Sequence, residues 1–278
     1  MTSYELSPTL ILGTGINQLR TNLVDMASGR IVVIGRHGPD RELLPKLVAR
    51  SFYEFNTDTP PGWSPVTFVA IDPAGIWKSL KTGADRLQAC PEITIIGGAS
   101  DETGPLGDAK SSGERIGTDL GECKAEAPKG VILDLSGYSP ADKRKFVGSF
   151  LRTFCRARRQ GGRVLVHVFI DGAELFAQKN PNPSLIKQQQ KRCARAVARF
   201  VARAEDLGIG ATVISPRFDA VDEGVAGRCD TFFIFDQEDG DTSLKQWLHV
   251  QSKDWPSLPT MACHYHHGRT NQLVCLEE

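Results

Sequence analysis

The stretch Ile31-Val-Val-Ile-Gly-Arg-His-Gly-Pro-Asp-Arg-Glu-Leu-Leu44 places a β-branched run, a glycine turn and the start of an amphipathic segment one after another. Strand, turn and helix in that order are the layout of a phosphate-binding loop. In such a loop backbone N–H groups cradle phosphates, a lysine neutralises them and a hydroxyl holds magnesium. On the G-x-x-x-x-G-K-[ST] spacing, Gly35 takes the first glycine, and Arg36, His37 and Gly38 lie within the loop. The later letters depart from it. Asp40 stands for the second glycine, Arg41 for the lysine and Glu42 for the hydroxyl residue, while Pro39 removes a backbone donor. Two carboxylates thus fall where a polyanion would sit. Like charges about 4 Å apart cost on the order of 4 kcal/mol at an effective dielectric near 20, which Arg41 offsets only in part. The plainest reading is a turn that joins strand to helix; a weakened nucleotide site and an active one are the alternatives.

The chain is 278 residues long and 40% apolar, enough for a sizeable globular core, and its 33 basic and 33 acidic residues create no global field toward nucleic acid or membrane. Met1 to Leu19 has acidic Glu5 and no basic leader, and no apolar run approaches the roughly 18 residues of a membrane span. A cytoplasmic protein with no membrane partner is expected. Its seven cysteines, odd in number and scattered, suit reduced, buried thiols.

Outward from the opening stretch, apolar runs recur at Val66–Ile71, Glu92–Ile96, Val131–Leu135, Arg163–Ile170, Gly210–Ser215 and Thr231–Phe235, each reading as a strand. Helical periodicity covers Glu42–Phe55, Pro140 to about Arg159, and Ser184 to about Leu207. Ser139 caps the second of these and Asp142 favours its positive end. On its wheel Phe146, Phe150 and Phe154 fall together, opposite Lys145, Arg152, Arg156 and Arg159. Residues 1–29, including Gly13-Thr-Gly15, carry weak signals, and Ala99 to Lys129 reads as a long loop with one short helix near Arg115–Gly121. Met261–His267 and Gln272–Leu276 form a hairpin. Alternating strands and helices imply a single α/β domain over 1–278, with a mostly parallel sheet, right-handed crossovers and a C-terminal β-hairpin.

Several phrases in this order resemble the HerA-like branch of the HerA/FtsK P-loop ATPases, over roughly residues 30 to 276. Gly35-Arg-His-Gly38 is similar to the start of the family's G-R-T-G-S-G-K-S, and Phe68-Val-Ala-Ile-Asp-Pro73 to its strand ending in D-P. Val131-Ile-Leu-Asp-Leu-Ser-Gly137 resembles its L-D-L-S-G strand, and Phe169-Ile-Asp-Gly-Ala-Glu-Leu-Phe-Ala177 its Walker B stretch I-D-E-A-H-x-F-A. Gly208 to Arg217, followed by Cys229-Asp230, resembles G-x-G-x-x-x-I-S-Q-R and a downstream C-D. The resemblance implies a three-layer P-loop NTPase, RecA-like core, without the N-terminal β-barrel domain that many such proteins carry. It also implies Mg-ATP as cofactor and rings, assembled head to tail, that translocate DNA or drive nucleases and other effectors.

Carried over by position, Asp171 and Arg217 are retained, but the water-orienting glutamate is Gly172, the glutamine before Arg217 is Pro216, and Ala204-Glu205 stands where the family often reads G-R. A degenerate homologue acting as a structural or regulatory subunit is therefore expected. The contrasting reading is an active ATP-driven DNA motor with an unorthodox P-loop. A third is a scaffold in a viral or mobile-element assembly.

Two further features call for a partner or a metal. The longest helix separates an apolar side (Ile186, Cys193, Val197, Phe200, Ala204) from a cationic one (Lys187, Lys191, Arg195, Arg199, Arg203). That side is solvated, contacts nucleic-acid phosphates, or docks on the acidic segment Asp219–Asp241 of a neighbouring subunit, where eight acids face the single base Arg228. Cys263, His264, His266, His267 and Cys275 suit zinc by type, yet strand alternation sends Cys263 and His267 to one face and His264 and His266 to the other. No metal site is expected.

Overall fold

The computed structural model describes residues 8–13, 18–36, 38–57, 59, 63–84, 87–98, 108–122, 128–161, 164–179, 186–236, 258, 261–268 and 270–276. In chain order its first half comprises β1 (Thr9–Leu12), β2 (Leu19–Asn22), α1 (Leu23–Ser28), β3 (Arg30–Ile34), α2 (Pro39–Thr57), β4 (Val66–Asp72), α3 (Ser79–Thr82), β5 (Thr94–Gly97), α4 (Ala109–Gly121) and β6 (Gly130–Asp134). There follow α5 (Pro140–Gly161), β7 (Leu165–Ile170), α6 (Ala173–Phe176), α7 (Ile186–Arg203), β8 (Ile209–Ser215), α8 (Glu223–Ala226), β9 (Thr231–Ile234), β10 (Ala262–His267) and β11 (Thr270–Cys275). Nine strands form one sheet in the order β11-β10-β9-β3-β8-β7-β4-β6-β5. From β9 to β5 all neighbours are parallel, and the β10–β11 hairpin adds antiparallel at the β9 edge.

The apolar run of β3 follows from this position. Val32 and Ile34 point into one helix layer, Ile31 and Val33 into the other, so both faces are covered and neither tolerates polar alternation. On the first side lie α4 to α8. Phe146, Phe150 and Phe154 stack in series along α5, with centroids 6.2 and 5.5 Å apart, and Phe154 meets Phe200 of α7 at 6.4 Å. On the second side, α1, α2, α3 and the β1–β2 hairpin cover Phe52, Phe68, Trp77 and Phe169. These two clusters hold most of the buried apolar surface, at about 25 cal/mol per Å² removed from water.

Three regions differ from the sequence expectation. Within the weakly patterned first 29 residues the chain forms the β1–β2 hairpin and α1, whose N-cap Asn22 accepts from the Val24 and Asp25 N–H groups. Thr14 and Gly15 of the Gly13-Thr-Gly15 stretch lie outside the described residues. Helix α2 begins at Pro39, ahead of Glu42. Most consequentially, the expected loop between Ala99 and Lys129 contains a 13-residue helix, α4, rather than a short one near Arg115. Its glycines were the misleading signal. Gly113, Gly117 and Gly121 recur every fourth residue and lie against the Phe146, Phe150 and Phe154 backbone of α5. The glycine stripe lets the two helices touch.

Candidate functional site

Strands β3, β8, β7 and β4 are consecutive in the sheet, so their C-terminal ends bring the turn after Ile34 together with Ser215, Asp171 and Asp72. The first two amides of that turn continue the ladder: Gly35 N–H donates to the Ser215 carbonyl at 3.3 Å and Arg36 N–H to that of Asp236 at 3.4 Å. They face the sheet. A Cβ at Gly35 would stand 2.5 Å from the Cβ of Phe235, so packing alone demands this glycine, whereas Gly38 borders open space. Pro39 occupies the first position of α2, which suits its fixed φ and missing donor, and the Glu42 N–H reaches back to the Gly38 carbonyl at 3.2 Å. Arg41, at the lysine position, is only 2% exposed and its Nη1 donates to the Gly35 carbonyl at 3.3 Å. Its guanidinium therefore points into its own turn. His37 and the side chains of Pro39 and Asp40 lie outside the described residues.

Beside Arg41 sits a residue that motif reading missed. Glu174, on the single-turn helix α6, has its Oε2 buried without a hydrogen bond among the described residues. Burial raises its carboxyl above the usual range and the Asp171 charge adds to this, while Arg41 and the Ser215 hydroxyl pull it back down. The readable signal was spacing: Glu174 follows Asp171 by three residues, one turn, instead of directly. The position directly after, Gly172, adopts φ +65°, and a Cβ there would lie 3.0 Å from Pro73 Cγ. A glutamate at 172 would be strained in this backbone.

Asp171 is 6% exposed, and both its oxygens accept hydrogen bonds from the protein: Oδ1 from Gly172 N–H at 2.8 Å, Oδ2 from the Trp77 indole at 3.1 Å. Asp72, at the end of β4, accepts from the N–H groups of Ala74, Gly75 and Trp77 at 3.1, 2.7 and 2.8 Å and so ties down the D-P loop. Burial, with the neighbouring Asp171 charge, nevertheless pushes the Asp72 carboxyl up to about 6. On β6, Asp134 accepts from Ser136 N–H and faces Lys78 at 3.6 Å.

Buried His167 gives this edge's pH behaviour an opposing partner. Its Nδ1 and Nε2 contact the Ala27 carbonyl and the Thr212 hydroxyl at 3.0 and 2.7 Å, and burial pushes its imidazole down to about 4. Between pH 6.5 and 4 the unfolded chain takes up this proton and the fold does not, so stability falls with pH, by roughly 3 kcal/mol in all. Asp72 works oppositely: the fold takes up its proton near pH 6 and the unfolded chain only near 3.9, so stability rises as pH falls through that window. Asp72→Asn removes the compensation. Its denaturant stability is expected to drop by roughly 3 kcal/mol from pH 6.5 to 4 while the wild type changes less; parallel profiles would contradict this.

No family model and no curated protein sequence matches the chain. Solved structures do. VirB4 of Thermoanaerobacter pseudethanolicus superimposes with a TM-score of 0.62 at 10% identity, covering 97% of this chain and 96% of that one. The genome packaging NTPase of Sulfolobus turreted icosahedral virus 2, in complex with ATP-gammaS, gives 0.53 at 11%, over 89% and 97%. The pCW3 conjugation coupling protein TcpA, also with ATPgS, gives 0.54 at 11%, over 98% and 67%. The chain has the fold of the FtsK/HerA-type P-loop ATPases. Among the described residues no helix is long and apolar enough to cross a membrane.

In this fold the described side chains at the positions that would hold a magnesium nucleotide are engaged within the protein itself. Asp171 is engaged through both oxygens, Arg41 is turned toward Gly35, two amides of the turn belong to the sheet, and the Asp171 charge already bears on both Asp72 and Glu174. Arg217, retained from the resemblance, forks onto Asp219 through Nε at 2.9 Å and Nη2 at 2.5 Å. Glu205 is exposed and meets Arg30 at 3.6 Å.

The structure also brings the basic faces of two helices together. Arg195, Arg199 and Arg203 of α7, with Arg192, line one wall of a groove of about 400 Å³, and Arg152, Arg156 and Arg159 of α5 line the other. Lys191 is exposed outside that lining, and the side chain of Lys187 lies outside the described residues. The proposed acidic counterpart is different from its composition. Asp219 pairs with Arg217, Glu223 with Lys179, Asp230 with Arg30 and Asp236 with Arg36, and Asp222 caps α8. Residues 237–241 lie outside the described residues. At the C-terminal hairpin, Cys263 is buried in the core, His264 faces away from it, and His267 Nδ1 contacts the Thr231 hydroxyl at 2.8 Å. No group of three potential metal ligands occurs among the described residues.

Proposed function

We propose that this chain is a catalytically degenerate, single-domain relative of the FtsK/HerA-type ATPases, acting as a structural or regulatory subunit of an oligomeric assembly that engages DNA or an effector. The observation that supports this best is Arg41. The only basic residue at the phosphate-neutralising position is buried against the Gly35 carbonyl and beside Glu174, so its charge serves the fold. Removing a water-orienting group and a positioned arginine costs several powers of ten in phosphoryl transfer. The triple variant Asp40→Gly, Arg41→Lys, Glu42→Ser rebuilds the loop letters but leaves Gly172 and the Trp77 cap on Asp171. Phosphate release is expected to stay at background in wild type and triple variant, with and without DNA. Turnover in the triple variant alone would place the whole defect in the loop.

One observation favours a second reading, the ATP-driven motor: Glu174 could take the water-orienting task from one turn further along. In that case wild-type turnover is present and Glu174→Gln abolishes it. Size-exclusion light scattering across salt tests the assembly, and a monomer at every salt concentration would remove the oligomer from the proposal.

A further inference from the structure

The arginine groove between α5 and α7 has no role in the nucleotide-site argument above. All seven arginines that line it are exposed, and none of them is paired with a carboxylate among the described residues. This occurs in a chain whose formal net charge is zero. Of the five described acids of the 219–236 segment, by contrast, four are paired with cations internally and Asp222 caps α8. Uncompensated positive charge is therefore concentrated in one furrow.

Its shape restricts the ligand. Both helices lead into strands of the parallel sheet, α5 into β7 and α7 into β8, so they run side by side in the same direction. Arg152, Arg156 and Arg159 follow one face of α5 at helical spacing, and Arg192, Arg199 and Arg203 do the same on α7. From Arg192 to Arg203 the row rises about 16 Å at 1.5 Å per residue. Charges strung along two rows suit a linear polyanion better than a compact one. Guanidinium forks bind phosphate oxygens in pairs, and no lysine contributes to the lining.

The floor argues against a peptide. Leu151, Ala196 and Phe200 are 1%, 6% and 1% exposed, so the groove offers no apolar anchor point of the kind that fixes protein partners. It also offers no exposed aromatic face for stacking and no amide side chain to read a base.

We infer that this furrow binds the phosphodiester backbone of a nucleic-acid strand, without sequence preference. The site is independent of the nucleotide reading, since its failure would leave the hydrolysis result untouched. The test is fluorescence anisotropy with a labelled 20-nucleotide oligo-dT and a duplex of equal length, from 50 to 200 mM salt. Wild-type protein is expected to bind, with affinity falling steeply with salt. Arg152→Ala/Arg195→Ala/Arg199→Ala is expected to weaken binding at 50 mM salt at least tenfold and to flatten the log–log salt slope by about 2, at roughly 0.7 per contact on a single strand. A non-overlapping pair, Arg156→Ala/Arg192→Ala, should act in the same direction, which guards against misfolding of one variant. Unchanged affinity in both variants would overturn the inference. So would tripolyphosphate binding in the absence of oligonucleotide binding, which would point to a compact ligand, or poly-glutamate binding as well as DNA.

Discussion

Gly117→Val is expected to destabilise the fold by about 3 kcal/mol or more, with the two-helix layer α4–α5 failing first. A Cβ at 117 would lie 2.6 Å from the Phe150 carbonyl oxygen and closer still to the Thr153 hydroxyl, so the clash is with the backbone of the facing helix. Neighbouring turns are equally tight: a Cβ at Gly113 would meet the Phe146 carbonyl at 2.5 Å, and one at Gly121 would meet Ala157 Cβ at 2.6 Å. Thr153 cannot simply rotate away, because its hydroxyl donates to the Ser149 and Phe150 carbonyls at 2.9 and 3.1 Å. Gly137 borders open space and serves as the control; Gly137→Ala should stay within about 0.5 kcal/mol of wild type. Denaturant midpoints measure both. A wild-type midpoint for Gly117→Val would mean that α4 and α5 do not approach as described.

Arg41→Ala carries the second large effect, on the order of 3 kcal/mol at pH 8, because it strips the cation from beside a carboxylate whose Oε2 is buried. The sign of its pH dependence is diagnostic. Without Arg41 the Glu174 carboxyl, already raised by burial, rises further, so the fold takes up a proton at a higher pH than the unfolded chain does. Stability lost at pH 8 is then regained as pH falls toward the unfolded carboxyl value. The double variant Arg41→Ala/Glu174→Gln should recover much of the loss at pH 8, a coupling that a purely steric role for Arg41 would not produce. An equal loss at pH 5 and pH 8, with no recovery in the double variant, would count against the pair.

The strands were legible because their burial is symmetrical: β3 and β6 are apolar on both faces, and such runs have few other uses in a chain of this composition. The aromatic row of α5 and the C-terminal hairpin could be read from periodicity and turn letters in the same way. Helix α4 was not, since glycine signals loops by its entropy, and only the four-residue interval of Gly113, Gly117 and Gly121 records a close helix pair. Helical wheels showed a basic side on α5 and another on α7, but not that they face one groove. Nor did they separate exposed Arg159 from Arg158, which is buried and donates to the Leu207 and Gly208 carbonyls at 3.1 and 3.2 Å. Part of the acidic segment looked unpaired because Arg30, the partner of Asp230, lies 200 residues away in the chain. Glu174 escaped because the Walker B pattern places its glutamate beside the aspartate. Whether a side chain one turn later faces the same place depends on the left-handed bend at Gly172, which sequence does not show.

The most direct measurement of the central claim is calorimetric titration of the wild-type protein with Mg-ATP, with phosphate release followed in the same sample. The expected result is no saturable heat and no phosphate above background, because Arg41 and Asp171 are already engaged by the protein. Saturable binding with steady phosphate release, both lost in Asp171→Ala, would contradict it and make the chain an ATPase.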